Sequence, residues 1–204
     1  MNGVLNIFKP KGMSSFDAVR VVKKVAGTGK VGHTGTLDPE ATGVLPICIG
    51  RATKIIDYIM DSEKVYEVTL KLGIRTTTYD LEGEVLEERD PSHLTEEEIL
   101  NSINSFKGEY SQIPPMYSAL KQNGVRLYEL ARKGIEVERK GRLINIHNLE
   151  DIKINNPYIS MKVTCSKGTY IRSLCYDIGE KLGVFATMTQ LNRAKTSVFS
   201  QEKS

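Results

Sequence analysis

Apolar and polar residues alternate over residues 64–72, with Tyr66, Val68, Leu70 and Leu72 on one side and Glu67, Thr69 and Lys71 on the other. That is the period of a half-buried strand. A shorter strand is predicted over 3–8, ended by Lys9-Pro10-Lys11-Gly12. Ser14 then stands where it would cap a helix whose apolar positions Ala18, Val21, Val22 and Val25 have helical spacing. Val44 to Ile49 read as a buried strand and 51–61 as a helix, and a turn and strand are expected near 83–88. Thr95 and Glu98 form a capping-box pair ahead of a helix that would bury Ile99, Leu100, Ile103 and Phe106. A short helix over 125–133 would end at Gly134, before strands near 142–154 and 158–165. Ile171, Leu174, Cys175, Ile178 and Leu182 then mark a helix stopped by Gly183, and a last strand covers 185–191. Without a regular βαβ rhythm, this order predicts an α+β fold with a mixed, largely antiparallel sheet flanked by helices.

Residues 27–46 break the pattern. Glycines stand at 27, 29, 32, 35 and 43, with Asp38-Pro39 between them. A loop of that length is uncommon in a compact domain and is more often functional. Asp followed by Pro also suits a helix start, with Asp as cap, so a structural role stands beside a chemical one. Glycines favour the chemical role because they let the backbone approach a ligand closely. One carboxylate and one histidine, with no second acid nearby, do not make a glycosidase pair.

Composition adds bounds. The 204 residues are 40% hydrophobic and 26% charged, the balance of a globular chain. No apolar run is long enough to span a bilayer, and the first residues lack the basic start and apolar stretch of a signal peptide. A cytoplasmic protein without membrane association is therefore expected. The three cysteines, Cys48, Cys165 and Cys175, form no CxxC pair, and the three histidines are scattered. Neither a disulfide framework nor a metal site is expected, and no cofactor is implied. Residues 80–98 hold nine acids against one base, leaving 27 bases and 16 acids elsewhere. A basic body with one acidic segment suits a polyanion bound on one face, though an ordinary solvated acidic surface has the same charges.

The segment Gly32-His33-Thr34-Gly35-Thr36-Leu37-Asp38-Pro39-Glu40-Ala41-Thr42-Gly43 resembles the catalytic motif of the TruB family of tRNA pseudouridine-55 synthases. Four further segments match that family in order. They are Lys9-Pro10-Lys11-Gly12-Met13-Ser14-Ser15, Lys64-Val65-Tyr66-Glu67-Val68, Pro114-Pro115-Met116-Tyr117-Ser118-Ala119-Leu120-Lys121 and Gly168-Thr169-Tyr170-Ile171-Arg172-Ser173-Leu174. The likeness runs from about residue 3 to about residue 197. It implies a pseudouridine synthase fold, a tRNA T arm as substrate, no cofactor, and action as a monomer without an obligate protein partner. It implies Asp38 as nucleophile, Arg172 as the cation that favours its ionised form, and Tyr66 against the extruded uracil. Tyr170 and Leu191 would line the base pocket, and His33 would enter the T loop. Asp80 would lie near the RNA, with Lys9 and Lys121 among the cations on phosphates. Taken alone, Tyr66 also reads as a core tyrosine and Arg172 as a surface arginine.

Family members usually continue into a PUA-type RNA-binding extension, so residues 1–204 correspond to the catalytic domain alone. Two other functions remain compatible with these residues. One is a guide-RNA-dependent synthase acting on ribosomal RNA with protein partners. The other is a tRNA-folding chaperone in which catalysis is incidental.

Overall fold

The computed structural model describes all residues, 1–204. The chain opens with β1 (Gly3–Lys9), α1 (Ser15–Ala26), β2 (Val31–His33) and β3 (Thr42–Ile49). A 3-10 turn over Gly50–Ile55 leads into α2 (Ile56–Met60). Next come β4 (Lys64–Leu72), β5 (Ile74–Thr76), β6 (Val85–Glu88), α3 (Glu96–Asn104) and β7 (Gly108–Gln112). The hairpin β8 (Lys121–Gln122) and β9 (Val125–Arg126) precedes α4 (Leu127–Ala131) and the long strands β10 (Arg142–Asn155) and β11 (Tyr158–Cys165). The chain closes with α5 (Ile171–Leu182), β12 (Ala186–Thr196) and β13 (Phe199–Ser200).

The expected α+β class holds, with a mostly antiparallel sheet in which β12 runs parallel to β3 through Asn192↔Thr42 and Arg193↔Gly43. The residues form two compact units, and β4, β11 and β12 contribute to both. The first unit holds 1–68, 162–167 and 190–204. Here β1 pairs antiparallel with β3 from Gly3↔Ile49 to Lys9↔Gly43, and β2 takes the other side of β3's far end. Val44, Leu45, Ile47 and Cys48 are fully buried in this core. The second unit holds 69–161 and 168–189. Its sheet ends in β10 and β7, and Ile99 and Ile103 of α3 share a core with Leu174, Cys175 and Ile178 of α5.

Two corrections concern local structure. The segment read as a loop over 27–46 contains β2 and the start of β3, so the irregular stretches are 27–30 and 34–41. Ser14 caps α1 as expected, in a capping box with Asp17, but the buried face is Ser15, Ala18, Val19 and Val22. Val21 and Val25 are exposed. The Ser15 hydroxyl decides this rotation: it donates to Leu37 O at 3.0 Å and accepts from Leu37 N at 2.8 Å, turning its side of the helix inward. The hairpins β5–β6 and β8–β9 carried too few residues to show a period and were not anticipated in full.

In α5, burial pushes the Asp177 carboxyl up to about 7; a hydrogen bond from Tyr110 opposes the shift and Glu180 adds to it. Its ordinary value is 3.8. Between those values the folded chain keeps a proton that the unfolded chain has released, so this group's contribution to stability falls as pH rises. The Asp177→Asn variant should flatten that fall, with its urea midpoint less pH-dependent than the native chain's between about pH 4 and about pH 7. Equal dependence in both chains would contradict the assignment.

Candidate active site

In the first unit Asp38 lies in a tight turn, not at a helix start. Ala41 N donates to Asp38 O at 3.1 Å, with Pro39 at the position of the turn where its fixed φ is favoured. Both neighbours of Asp38 are anchored. Leu37 is held through its N–H and its carbonyl by Ser15, and Pro39 O accepts from Gly12 N at 2.9 Å and from Lys9 Nζ at 3.1 Å. The carboxylate is thus presented, half-buried, on a backbone clamped on either side.

Lys9 was expected on phosphate. The structure corrects this: its side chain is fully buried, and Nζ donates to the carbonyls of Pro10, Met13 and Pro39. An ammonium committed to three carbonyls has no donor facing outward. Burial lowers its pKa, while Asp38 and Glu40 oppose the shift. Lys9 positions the Asp38 turn.

Arg193 in β12 is the residue that sequence reasoning missed. It is 1% exposed. Its Nε donates to Val44 O at 2.8 Å and its Nη2 to Gly35 O at 3.1 Å, tying β3 to the irregular segment. Gly43, at φ 118, lets the strands close: a Cβ there would meet Arg193 O at 2.3 Å. The available signal was the two-residue strand period, which puts Arg193 on the same face as Leu191. Leu191 is half-buried on β12.

Tyr66 lies buried on β4. Burial pushes its phenol pKa up, Arg193 opposes this by charge and hydrogen bond, and Asp38 adds to the rise. A phenol shifted in that direction stays protonated at neutral pH and acts as a donor, with Asp38 within electrostatic range. His33, at the end of β2, is half-buried, and its Nδ1 accepts from Gly35 N at 3.3 Å. Burial and then Arg193 lower its pKa, so the imidazole is neutral at neutral pH.

In the second unit Arg172 is the second residue of α5 and is 6% exposed, which excludes the surface arginine. Nη1 donates to Thr78 O at 3.0 Å and Nη2 to Tyr117 O at 2.8 Å. Nε lies 3.6 Å from Oδ2 of Asp80. Asp80 is itself 8% exposed, and its Oδ1 accepts from the Thr78 hydroxyl and from Glu82 N. Its observed work is therefore to orient Arg172. Tyr170 begins α5 half-buried, its N–H donating to Gln112 Oε1 at 2.8 Å. Lys121 is exposed on the β8–β9 hairpin. The geometry thus gathers Asp38, Tyr66, His33, Leu191 and Lys9 in the first unit, and Arg172, Asp80, Tyr170 and Lys121 in the second.

No group of His, Cys, Asp and Glu side chains is arranged to hold a metal ion, and no helix is long and apolar enough to cross a membrane. A chain of the solved Cbf5-Nop10-Gar1 complex superposes with a TM-score of 0.75 at 31% identity, covering 98% of this chain and 50% of that one. Residues 23–171 match the model of the TruB family pseudouridylate synthase N-terminal domain, and 172–204 that of the tRNA pseudouridylate synthase B C-terminal domain. The fold is that of a pseudouridylate synthase. The tRNA pseudouridine synthase B of Clostridium perfringens is 67% identical over 204 residues, and that of Clostridium tetani 65%. Those alignments cover all of this chain and 69% and 71% of the relatives. The chain belongs to the TruB family.

Replacing Lys9 by Met leaves three carbonyls without their donor and should lower stability by roughly 2–3 kcal/mol, read from urea unfolding. A loss below about 0.5 kcal/mol would show that the ammonium is dispensable to the Asp38 turn.

Proposed function

We propose that the chain isomerises a uridine of the tRNA T loop, position 55, to pseudouridine, with Asp38 as the nucleophile. The observation that carries this reading is the clamped Asp38 turn with the buried, protonated Tyr66 within electrostatic range. In the reaction the bond between uracil N1 and C1′ breaks and a bond from C5 to C1′ forms. The C5 proton is released and N1 gains a proton. A carboxylate that adds covalently and then leaves suits such a rearrangement, because it holds one fragment while the base turns. No electron acceptor is consumed, so the isomerisation needs no cofactor.

The remaining roles follow the family resemblance. By that resemblance Arg172, oriented by Asp80, is a catalytic residue. Tyr66, Tyr170 and Leu191 are each assigned by the resemblance to contact with the extruded base, whose removal from the stack costs a few kcal/mol. His33, neutral at working pH, enters the T loop as a wedge. Lys121 contacts phosphate. Both units belong to one catalytic domain, acting as a monomer on tRNA in the cytoplasm without a protein partner.

The likeness to Cbf5, solved with Nop10 and Gar1, is the observation that favours a second reading, in which guide RNA and partners select the substrate. The relatives at 67% and 65% identity, named tRNA pseudouridine synthase B, favour the stand-alone enzyme.

Tritium released from C5-labelled tRNA transcript, without partners, tests both. The native chain should release it and Asp38→Asn should bind the transcript without release. Equal release by both would remove Asp38 from the chemistry; binding without release by the native chain would support dependence on partners or a chaperone role. Lys121→Ala should weaken binding and reduce the slope of log affinity against log salt by roughly 0.7–0.9, the loss of one phosphate contact. An unchanged slope would take Lys121 out of the interface.

A further inference from the structure

The second unit contains a buried polar chain to which no role has been assigned. It runs from Asp177 on α5 through the Tyr110 hydroxyl to the Gln112 amide, and from there to the backbone of Tyr170. Gln112 closes β7 and is 2% exposed. Its Nε2 donates to the Tyr110 hydroxyl at 2.7 Å and to Tyr170 O at 3.1 Å, while its Oε1 accepts from Tyr170 N at 2.8 Å. The Tyr110 hydroxyl lies near the Asp177 carboxyl, close enough for each to shift the pKa of the other.

The directions of these bonds agree along the whole chain. The Tyr110 oxygen accepts from the Gln112 NH2 group, which leaves its own O–H to turn toward the Asp177 carboxyl. That orientation turns the amide oxygen toward the Tyr170 N–H. Flipping the amide would set its oxygen against the Tyr170 carbonyl and its NH2 group against the Tyr170 N–H, losing both bonds of a side chain that is 2% exposed. An apolar residue of similar size would fill this volume, so packing alone does not call for an amide here.

What the amide holds is the first residue of the α5 cap. Tyr170 makes no capping bond with its own side chain. The backbone of β7 is itself fixed against β10, with Gln112 opposite Arg142. One residue further, the Ser173 hydroxyl donates to Ile113 O at 2.9 Å, a second stitch between the same two segments. The backbone on either side of Arg172 is thereby tied to the end of β7.

We propose that Gln112 is a positioning residue that fixes the backbone at Tyr170, and through it the side chains of Tyr170 and Arg172, with Tyr110 and Asp177 holding its amide in the required orientation. This rests on the roles given to Tyr170 and Arg172 under the proposed function. The requirement is for geometry: displacing a reacting group by about 1 Å can cost on the order of a hundredfold in rate.

The test is single-turnover tritium release at saturating enzyme, together with transcript affinity, for the native chain, Gln112→Met and Tyr110→Phe. Gln112→Met should slow the step by about tenfold to a hundredfold, with affinity within about twofold of native. Tyr110→Phe, which leaves Gln112 in place but frees its amide, should slow it less. In an Arg172→Lys background, Gln112→Met should cost much less than it does alone, because both act on one element. A native rate for Gln112→Met overturns the proposal, as does full additivity with Arg172→Lys. Should Gln112→Met not fold, Tyr110→Phe decides, and a native rate there overturns it equally. No release by the native chain would instead sink the functional reading, and this proposal with it.

Discussion

A guanidinium that is 1% exposed must find its hydrogen bonds inside the protein, and the first unit is arranged around meeting that demand at Arg193. Val44 supplies one carbonyl and Gly35 another, so one side chain ties β12, β3 and the irregular segment together. The strands close to this extent only because Gly43 has no side chain. Lys9 repeats the device at the end of β1, joining the carbonyls of Pro10 and Met13 to that of Pro39 in the Asp38 turn. Both cations spend these bonds on neutral carbonyls. They organise the backbone around Asp38.

Arg172 is held in a related way, with one difference. It stands in the first turn of α5, where the helix dipole disfavours a cation. The Thr78 and Tyr117 carbonyls and the Asp80 carboxylate offset that cost. Asp80 is kept ready for the task by Thr78 and Glu82 N. Breaking such a buried set from one side leaves a charge without its partner, which is more costly than the net worth of the pair. In both units the groups proposed for catalysis lie on backbone pinned by buried polar bonds. That is the rigidity expected of a site whose chemistry depends on placement.

Several elements were legible in the sequence because their causes lie within a few residues. The alternation over 64–72 marked β4 to the residue, the Ser14 and Thr95 caps marked where α1 and α3 begin, and Gly183 marked the end of α5. The ordered motifs pointed to the family before any geometry was known, and Asp38 with them. A strand period, a cap and a motif are all relations between near neighbours in the chain.

What the sequence by itself determined was therefore the class of fold, the run of most elements and the identity of the carboxylate-bearing segment. Only the tertiary structure decided which face of α1 turns inward, that Asp38-Pro39 forms a turn, that Lys9 is buried, and that Arg193 stands at the centre of the first unit. For the two cations the physical reason is the same. A lysine or arginine looks the same in a sequence whether water or a ring of carbonyls solvates it. The carbonyls that decide the matter come from residues up to 158 positions away along the chain.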